Sequence, residues 1–104
     1  MNKAQTLDEL KEVINNNELV VVDLYADWCN PCQELMPIVE ELSNEVTVPF
    51  YKVNIDEVPE VKDFTGAKAI PMILIYKNGV KREFSFGVTT KEKINSKIER
   101  AKRY

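Results

Sequence analysis

The 104-residue chain has no histidine, so it lacks the commonest general base and the commonest metal ligand of proteins. Its two cysteines are too few for the disulfide framework that holds small secreted domains together. Its longest nearly uncharged apolar runs, 19–22 and 70–76, are far shorter than the roughly 20 residues that cross a bilayer. There is no repeat, low-complexity segment or linker. We therefore expect one domain over residues 1–104 that neither spans a membrane nor depends on histidine chemistry.

The charge balance narrows the choice of partners. Seventeen acidic residues against 14 basic ones give a net charge of -3, which provides no general attraction to nucleic acid or to anionic membranes. Residues 2–6 are polar except for Ala4, without the apolar stretch of a signal peptide. We therefore expect a soluble, cytoplasmic protein with neither a nucleic-acid nor a membrane partner.

Hydrophobic spacing alternates between helical and strand periods along the chain. Capping-box patterns predict helix starts at Thr6–Glu9 and Thr89–Glu92. Asn78-Gly79 predicts a tight hairpin between the last two strands. The predicted strands are 19–25, 50–55, 72–76 and 80–86, and the predicted helices begin after Thr6, at Pro31, near Asp56 and near Thr90.

This order of elements predicts an α/β fold. Crossovers through helices make the first strands parallel, and the tight turn makes the last pair antiparallel. Residues 2–5 hold at most a short edge strand. In the short third helix we expect Val58, Val61 and Phe64 to face inward. The prediction is a mixed β-sheet with helices on both faces.

The two cysteines, Cys29 and Cys32, lie where the first long strand has ended and a helix begins. Pro31 suits a first helical turn, where its missing N–H needs no partner. A thiol at this position faces free backbone N–H groups and the positive end of the helix dipole, which favour the thiolate. Residues three apart in a helix lie roughly 5 to 6 Å apart, within the range of a disulfide. Cys29 is therefore predicted to attack disulfides, and the deeper Cys32 to resolve the mixed disulfide.

Two other interpretations of this Cys-x-x-Cys pair remain open at this point. Zinc and iron–sulfur sites use such pairs, but they need about four Cys or His ligands, which this chain alone does not have. A buried pair without redox function is the second alternative.

The motifs around the cysteines resemble those of the thioredoxin family, in the same order and spacing over nearly the whole chain. They are Trp28-Cys29-Asn30-Pro31-Cys32 after a strand that ends in Val-Asp-Leu-Tyr-Ala-Asp, Lys52–Asp56, Ala69-Ile70-Pro71, Tyr76–Gly79 and Phe86-Gly87.

The resemblance implies roles for two charged residues. Asp23 matches the buried carboxylate of the family, and a lone Asp in a strand of Leu, Val and Tyr is desolvated, which raises its pKa. It can then exchange a proton with Cys32 near neutral pH. An Asp at an exposed strand edge is the alternative. Lys52 matches a lysine near that carboxylate that tunes it, and an ordinary solvated lysine is the alternative there.

The resemblance also implies a docking face for clients. Pro71 matches the family's cis-proline, and the backbone of Ile70 would pair with an extended client segment. The residues expected to bind substrate are Trp28, Asn30, Pro31, Ile70, Pro71, Phe86 and Gly87.

Four positions depart from the family pattern. Asn30 stands where the family usually has glycine, so the resemblance does not predict the reduction potential of the cysteine pair. Ala69 and Met72 replace the usual glycine and threonine on either side of Ile70-Pro71, and Tyr25 replaces a frequent tryptophan. The basic residues between Lys91 and Arg103 are interpreted as a solvated helix face.

The implied function is that of a general protein-disulfide reductase with a reversible Cys29–Cys32 dithiol/disulfide. It would act as a monomer, with no bound cofactor or metal, on disulfide-containing client proteins. A flavoprotein thioredoxin reductase that draws on NADPH would recycle it. The alternatives are a non-catalytic binding subunit with the same fold, and an oxidase or isomerase variant of the family.

Overall fold

The computed structural model describes residues 1–104, which form five strands and four helices. The helices and strands follow one another along the chain in nearly the order that the sequence predicts. The elements are β1 (Asn2–Lys3), α1 (Leu7–Asn16), β2 (Leu19–Tyr25), α2 (Asn30–Glu45), β3 (Phe50–Asn54), α3 (Val61–Thr65), β4 (Met72–Lys77), β5 (Val80–Phe86) and α4 (Lys91–Ala101).

The strands form one mixed sheet in the order β1-β3-β2-β4-β5. β3 pairs in parallel with both β1 and β2, whereas β4 pairs antiparallel with β2 and β5. The parallel direction predicted for strands linked through helices was therefore wrong for β4, because the connection through the five-residue α3 delivers β4 in the opposite direction to β3. β2 lies at the centre of the sheet, and residues 20–25 of it are all buried. The predicted mixed sheet and the short edge strand at the N-terminus are confirmed.

The two faces of the sheet pack against different helices. Val20, Val22 and Leu24 of β2 share a hydrophobic cluster with residues of α1 and with Val61 of α3. Val21, on the other face, shares a second cluster with residues of α2 and α4. This alternation follows from the two-residue period of a strand. The predicted coverage of both faces by helices is confirmed, and no helix has the length and hydrophobicity that a membrane crossing requires.

The helix starts agree with the sequence at α1 and differ by one residue at α4. The Oγ1 atom of Thr6 accepts the Glu9 N–H at 3.1 Å, and the Glu9 carboxylate accepts the Gln5 N–H at 2.9 Å. The cap of α4 is Thr90, whose Oγ1 accepts the Lys93 N–H at 3.2 Å. The capping box predicted to start at Thr89 was wrong, because Thr90 is the last residue before the helix and has the extended backbone of an N-cap.

The start of α3 also differs from the prediction. Asp56 and the residues after it form turns, and the helix begins only at Val61. Val58 and Val61 are buried as expected, but Phe64 is 40% exposed, and the Lys11 ammonium lies 5.5 Å from the centre of its ring. The inward position predicted for Phe64 was wrong, because the inward face of α3 is formed by Val61 and Thr65, one turn apart, and Phe64 lies beside that face.

The hairpin between β4 and β5 has the predicted Asn-Gly turn. Asn78 and Gly79 have positive φ angles of 51° and 81°, the combination of a type I′ turn. Ile75 pairs with Glu83 and Tyr76 with Lys81, which leaves one extra residue in β5 at this bulge. α2 continues past Pro37 to Glu45.

Candidate functional site

Cys29 is the N-cap residue of α2, directly after the turn that ends β2. Its Sγ atom accepts the Cys32 N–H at 3.3 Å, and its own N–H donates to the Ala26 carbonyl at 3.3 Å. The first turn of α2 contains Pro31 and no acidic residue. A sulfur at this position therefore lies at the positive end of a 16-residue helix with no carboxylate in the first turn to offset it.

Cys29 and Cys32 form a disulfide, with their Cα atoms 5.2 Å apart. Cys29 is 5% exposed and Cys32 is 1% exposed, so Cys29 is the more accessible of the two. The chain has no other cysteine, and no group of His, Cys, Asp and Glu residues is arranged to hold a metal ion.

Asp23 lies in the middle of β2, in the centre of the sheet. It is 1% exposed, and neither of its carboxylate oxygens has a hydrogen-bond partner. The alternation along β2 puts it on the same face as Val21, against which α2 packs. Burial raises the pKa of the Asp23 carboxyl from 3.8 to about 7, while the Lys52 charge opposes this rise. The alternative of an Asp at an exposed edge does not fit this position.

Lys52 is the register partner of Asp23 on the neighbouring strand β3. It is half-buried, and its ammonium lies 5.9 Å from the centre of the Tyr25 ring. Lys52 therefore packs over an aromatic side chain of β2 and influences the Asp23 carboxyl through its charge rather than through a hydrogen bond.

The loop before β4 approaches the turn after β5. The Ile70–Pro71 peptide bond is cis, and the Gly87 N–H donates to the Pro71 carbonyl at 2.9 Å. Gly87 has φ 83°, a conformation that favours glycine. Pro71 is buried and Ile70 is half-buried. The backbone N–H and C=O of Ile70 have no hydrogen-bond partner within the chain.

The most exposed apolar side chains at this end of the molecule are Trp28 and Phe86, which are 67% and 61% exposed, and Val88 is 46% exposed. Of the residues expected to form the flat face, Trp28, Phe86, Asn30 and Pro31 are exposed to solvent, whereas Pro71 is buried.

Asp56 belongs to the site, although the sequence argument gave it no role there. Its Oδ2 atom accepts the indole N–H of Trp28 at 2.8 Å, and its backbone N–H donates to Oδ1 of the buried Asn54 at 2.9 Å. The two aspartate contacts hold the exposed indole beside the cysteine pair. The two residues lie 28 positions apart in the chain, and they meet because the parallel pairing of β2 with β3 brings the ends of these strands together.

The family comparison decides between the interpretations of the cysteine pair. The family model described as Thioredoxin matches residues 2–100 of the chain.

The chain belongs to the thioredoxin family.

Curated relatives and solved structures agree with this family. The chain is 34% identical over 96 residues to a thioredoxin of Rickettsia typhi, covering 90% of this chain and 91% of that protein. It is 40% identical over 91 residues to a thioredoxin of Rickettsia bellii, covering 86% and 84%. A thioredoxin structure from Plasmodium falciparum superposes with a TM-score of 0.89 at 34% identity, covering 96% of this chain and 98% of that one. A Fasciola hepatica thioredoxin gives the same TM-score at 33% identity, covering 97% and 99%.

As a member of the thioredoxin family, the protein is a thiol–disulfide oxidoreductase of the protein-disulfide reductase type. Thioredoxins use a redox-active disulfide in place of a bound cofactor, and the Cys29–Cys32 bridge fits that description. Membership also implies, in general terms, disulfide-containing clients and a reductase partner. The alternative of a non-catalytic binding subunit is not favoured by these findings.

Three of the four departures from the family pattern lie near the start of α2 and the Ile70–Pro71 loop, and the fourth is buried. Asn30 is exposed in the first turn of α2, and Ala69 is exposed before Ile70. Met72 is half-buried at the start of β4, where it pairs with Phe86. Tyr25 is buried at the end of β2 beneath Lys52.

Several cations of the C-terminal basic run are paired within the chain, which supports the solvated-face interpretation. Lys91 contacts Glu41 and Glu45, and Arg100 contacts Glu83.

Proposed function

We propose that Cys29 is the nucleophile, Cys32 the resolving thiol and Asp23 the group that exchanges a proton with Cys32. The observation that carries this assignment is the position of Cys29 at the positive end of α2, with the more deeply buried Cys32 one helical turn further on. Exposure and the helix dipole both favour a thiolate on Cys29 over one on Cys32.

The proposed reaction starts from the reduced pair. The Cys29 thiolate attacks one sulfur of the client disulfide, and the other client sulfur leaves as a thiolate. Cys32 then loses its proton and attacks the Cys29 sulfur, which releases the second client thiol and closes the Cys29–Cys32 bridge. Two electrons pass to the client, and the protein ends in the oxidised form that the structure describes.

The role of Asp23 follows from its burial. With a pKa raised to about 7, its carboxyl is present in both protonation states near neutral pH. It is therefore suited to take the Cys32 proton during resolution and to return it during reduction. Lys52, one strand away, keeps that pKa from rising further.

The proposed docking face combines Trp28, Asn30, Pro31, Ile70, Pro71, Phe86 and Gly87. The support for it is that the unpartnered backbone of Ile70 offers one donor and one acceptor to an extended client segment. Asp56 is proposed as a positioning residue, because its bond to the indole fixes Trp28 at the edge of this face.

We further propose that a flavoprotein reductase fed by NADPH returns the disulfide to the dithiol, and that the protein works as a monomer in the cytoplasm. The bacterial thioredoxins among its relatives support this proposal.

Trapping experiments test the roles of the two cysteines. The Cys32→Ser protein should form a stable covalent adduct with a client disulfide such as insulin, because the second displacement is lost. The Cys29→Ser protein should form none under the same conditions, and only the wild type should accelerate insulin reduction by dithiothreitol. Equal trapping by the two variants, detected on non-reducing gels, would contradict the assignment.

A further inference from the structure

A shallow apolar pocket lies beside the docking face, between the loop after α3 and strand β5. It has a volume of about 230 Å³. Its apolar wall consists of Ala67, Met72, Leu74 and Phe84, and its rim carries Lys68 and Lys81. This volume is below the roughly 300–1,000 Å³ of small-molecule sites, so the pocket fits one side chain better than a cofactor.

The strand register connects this pocket to the docking face. Met72 pairs with Phe86 and Leu74 pairs with Phe84, so the two phenylalanines lie on the same face of β5. Pro71 precedes Met72, and its carbonyl bonds to the Gly87 N–H that follows Phe86. Phe84 lies three residues before Gly87 along β5, a distance of roughly 10 Å in an extended strand. A client segment bound at Ile70 therefore reaches the pocket within a few residues.

Phe84 is a large apolar side chain in a mostly exposed position. It is 60% exposed on an edge strand. The exposed Phe84 and its buried cross-strand partner Leu74 both line the pocket.

The two lysines at the rim determine which charged residue is favoured next to an apolar side chain bound in the pocket. Both ionisable residues of the pocket are lysines and no carboxylate lines it, in a chain whose net charge is -3. Lys81 donates to the Thr65 carbonyl at 2.6 Å, whereas Lys68 is exposed and makes no hydrogen bond or ion pair. Lys68 also lines an adjoining depression together with Lys62 and Asp63. An acidic group is therefore favoured at this rim.

We propose that this pocket is a specificity subsite for client proteins, which binds an apolar side chain next to an acidic residue a few positions from the reactive cysteine. The proposal rests on the function proposed above, since the client is held by the same disulfide exchange at Cys29. It identifies a class of client segment: extended, with an apolar–acidic pair.

The test uses reduced protein and short peptides whose single cysteine is carried as a mixed disulfide with thionitrobenzoate. Attack on the peptide sulfur releases the coloured thiolate, so one rate reports on docking and exchange together. One peptide series places Leu-Glu at successive distances of about two to about six residues on either side of the cysteine, and a matched series carries Ser-Lys.

The wild type should react about fivefold or more faster with at least one Leu-Glu peptide than with its Ser-Lys counterpart. Phe84→Thr, which suits an edge strand, should abolish that preference. Val80→Thr is the matched control, because Val80 is also an exposed apolar residue of β5 but lies at the hairpin end outside the pocket. It should keep the preference.

The lysine rim is tested by Lys68→Gln, with Lys62→Gln as the control that leaves the pocket lining unchanged. Lys68→Gln should reduce the preference for Glu over Gln in the best peptide and leave the preference for Leu over Ser. Added salt should weaken the same part of the preference.

The outcomes separate the two proposals. A small disulfide, 5,5′-dithiobis(2-nitrobenzoate), should react equally with the wild type and Phe84→Thr, because it does not extend to the pocket. If the wild type reacts no faster than free cysteine with any probe, the proposed function fails. If it reacts well but no peptide position prefers Leu-Glu, or Val80→Thr loses the preference equally, the subsite is refuted. Self-association of the wild type that Phe84→Thr abolishes, without a change in peptide rates, would also refute it and assign the patch to a second copy of the chain.

Discussion

At the scale of single residues, the Asp23 carboxyl is a group whose burial opposes folding. Folding moves its pKa from 3.8 to about 7 because the strand around it removes water and offers no hydrogen bond. Between these two pH values the folded protein binds a proton that the unfolded chain has lost. Stability therefore falls as the pH rises through this window and is lowest above about pH 7.

Asp23→Asn should remove this pH dependence. Each pKa unit corresponds to about 1.4 kcal/mol, so the stability of the variant relative to the wild type should rise by roughly 2 to 4 kcal/mol between about pH 4 and about pH 8. The measurement is urea unfolding of the oxidised proteins across this range. Asp27→Asn, an exposed substitution nearby, is the control and should follow the wild-type curve. Parallel curves for Asp23→Asn and the wild type would contradict the burial argument.

At the scale of elements, the start of α4 gives a sharp test of local structure. Thr90 caps the helix through its bond to the Lys93 N–H, whereas the preceding Thr89 makes no such bond. Thr90→Ala should lower the free energy of unfolding by about 1 kcal/mol, while Thr89→Ala should change it by less than about 0.5 kcal/mol. Denaturant midpoints of the two variants distinguish the helix starts. An equal loss at Thr89 would favour the start predicted from the sequence.

The elements also show what could be predicted from the sequence and why. Long periodic segments such as β2 and α2, and the turn at Asn78-Gly79, follow from local spacing and backbone preference alone. The start of α3 was misplaced, because a helix of five residues has too few apolar positions to show a period. The contact between Trp28 and Asp56 was missed because it depends on how β2 and β3 align, which spacing along the chain does not encode.

At the scale of the whole molecule, the sheet order predicts how stability is distributed. β2 has partners on both sides and is buried, whereas β1 has two residues and one partner at the edge. Backbone amides of β2 should exchange with solvent mainly through global unfolding, and those near β1 through local opening.

Native-state hydrogen exchange measures this difference. The amide of Val22 in β2 should exchange at least about 100-fold more slowly than the amide of Ala4, which donates to the Lys52 carbonyl at the end of β1, after correction for intrinsic rates. The amide of Leu74 in the neighbouring strand β4 is the matched comparison and should behave like Val22. Equal protection of β1 and β2 would contradict a gradient from the centre of the sheet to this edge.

The single tryptophan of the chain stands directly before Cys29, with its indole N–H bound to Asp56. Because the chain has no second indole, the emission excited at wavelengths beyond the tyrosine absorption comes from a single ring that neighbours the sulfur pair. The spectrum is therefore an intrinsic gauge of the oxidation state, and it can be recorded on the unlabelled, unmodified chain while a client is present.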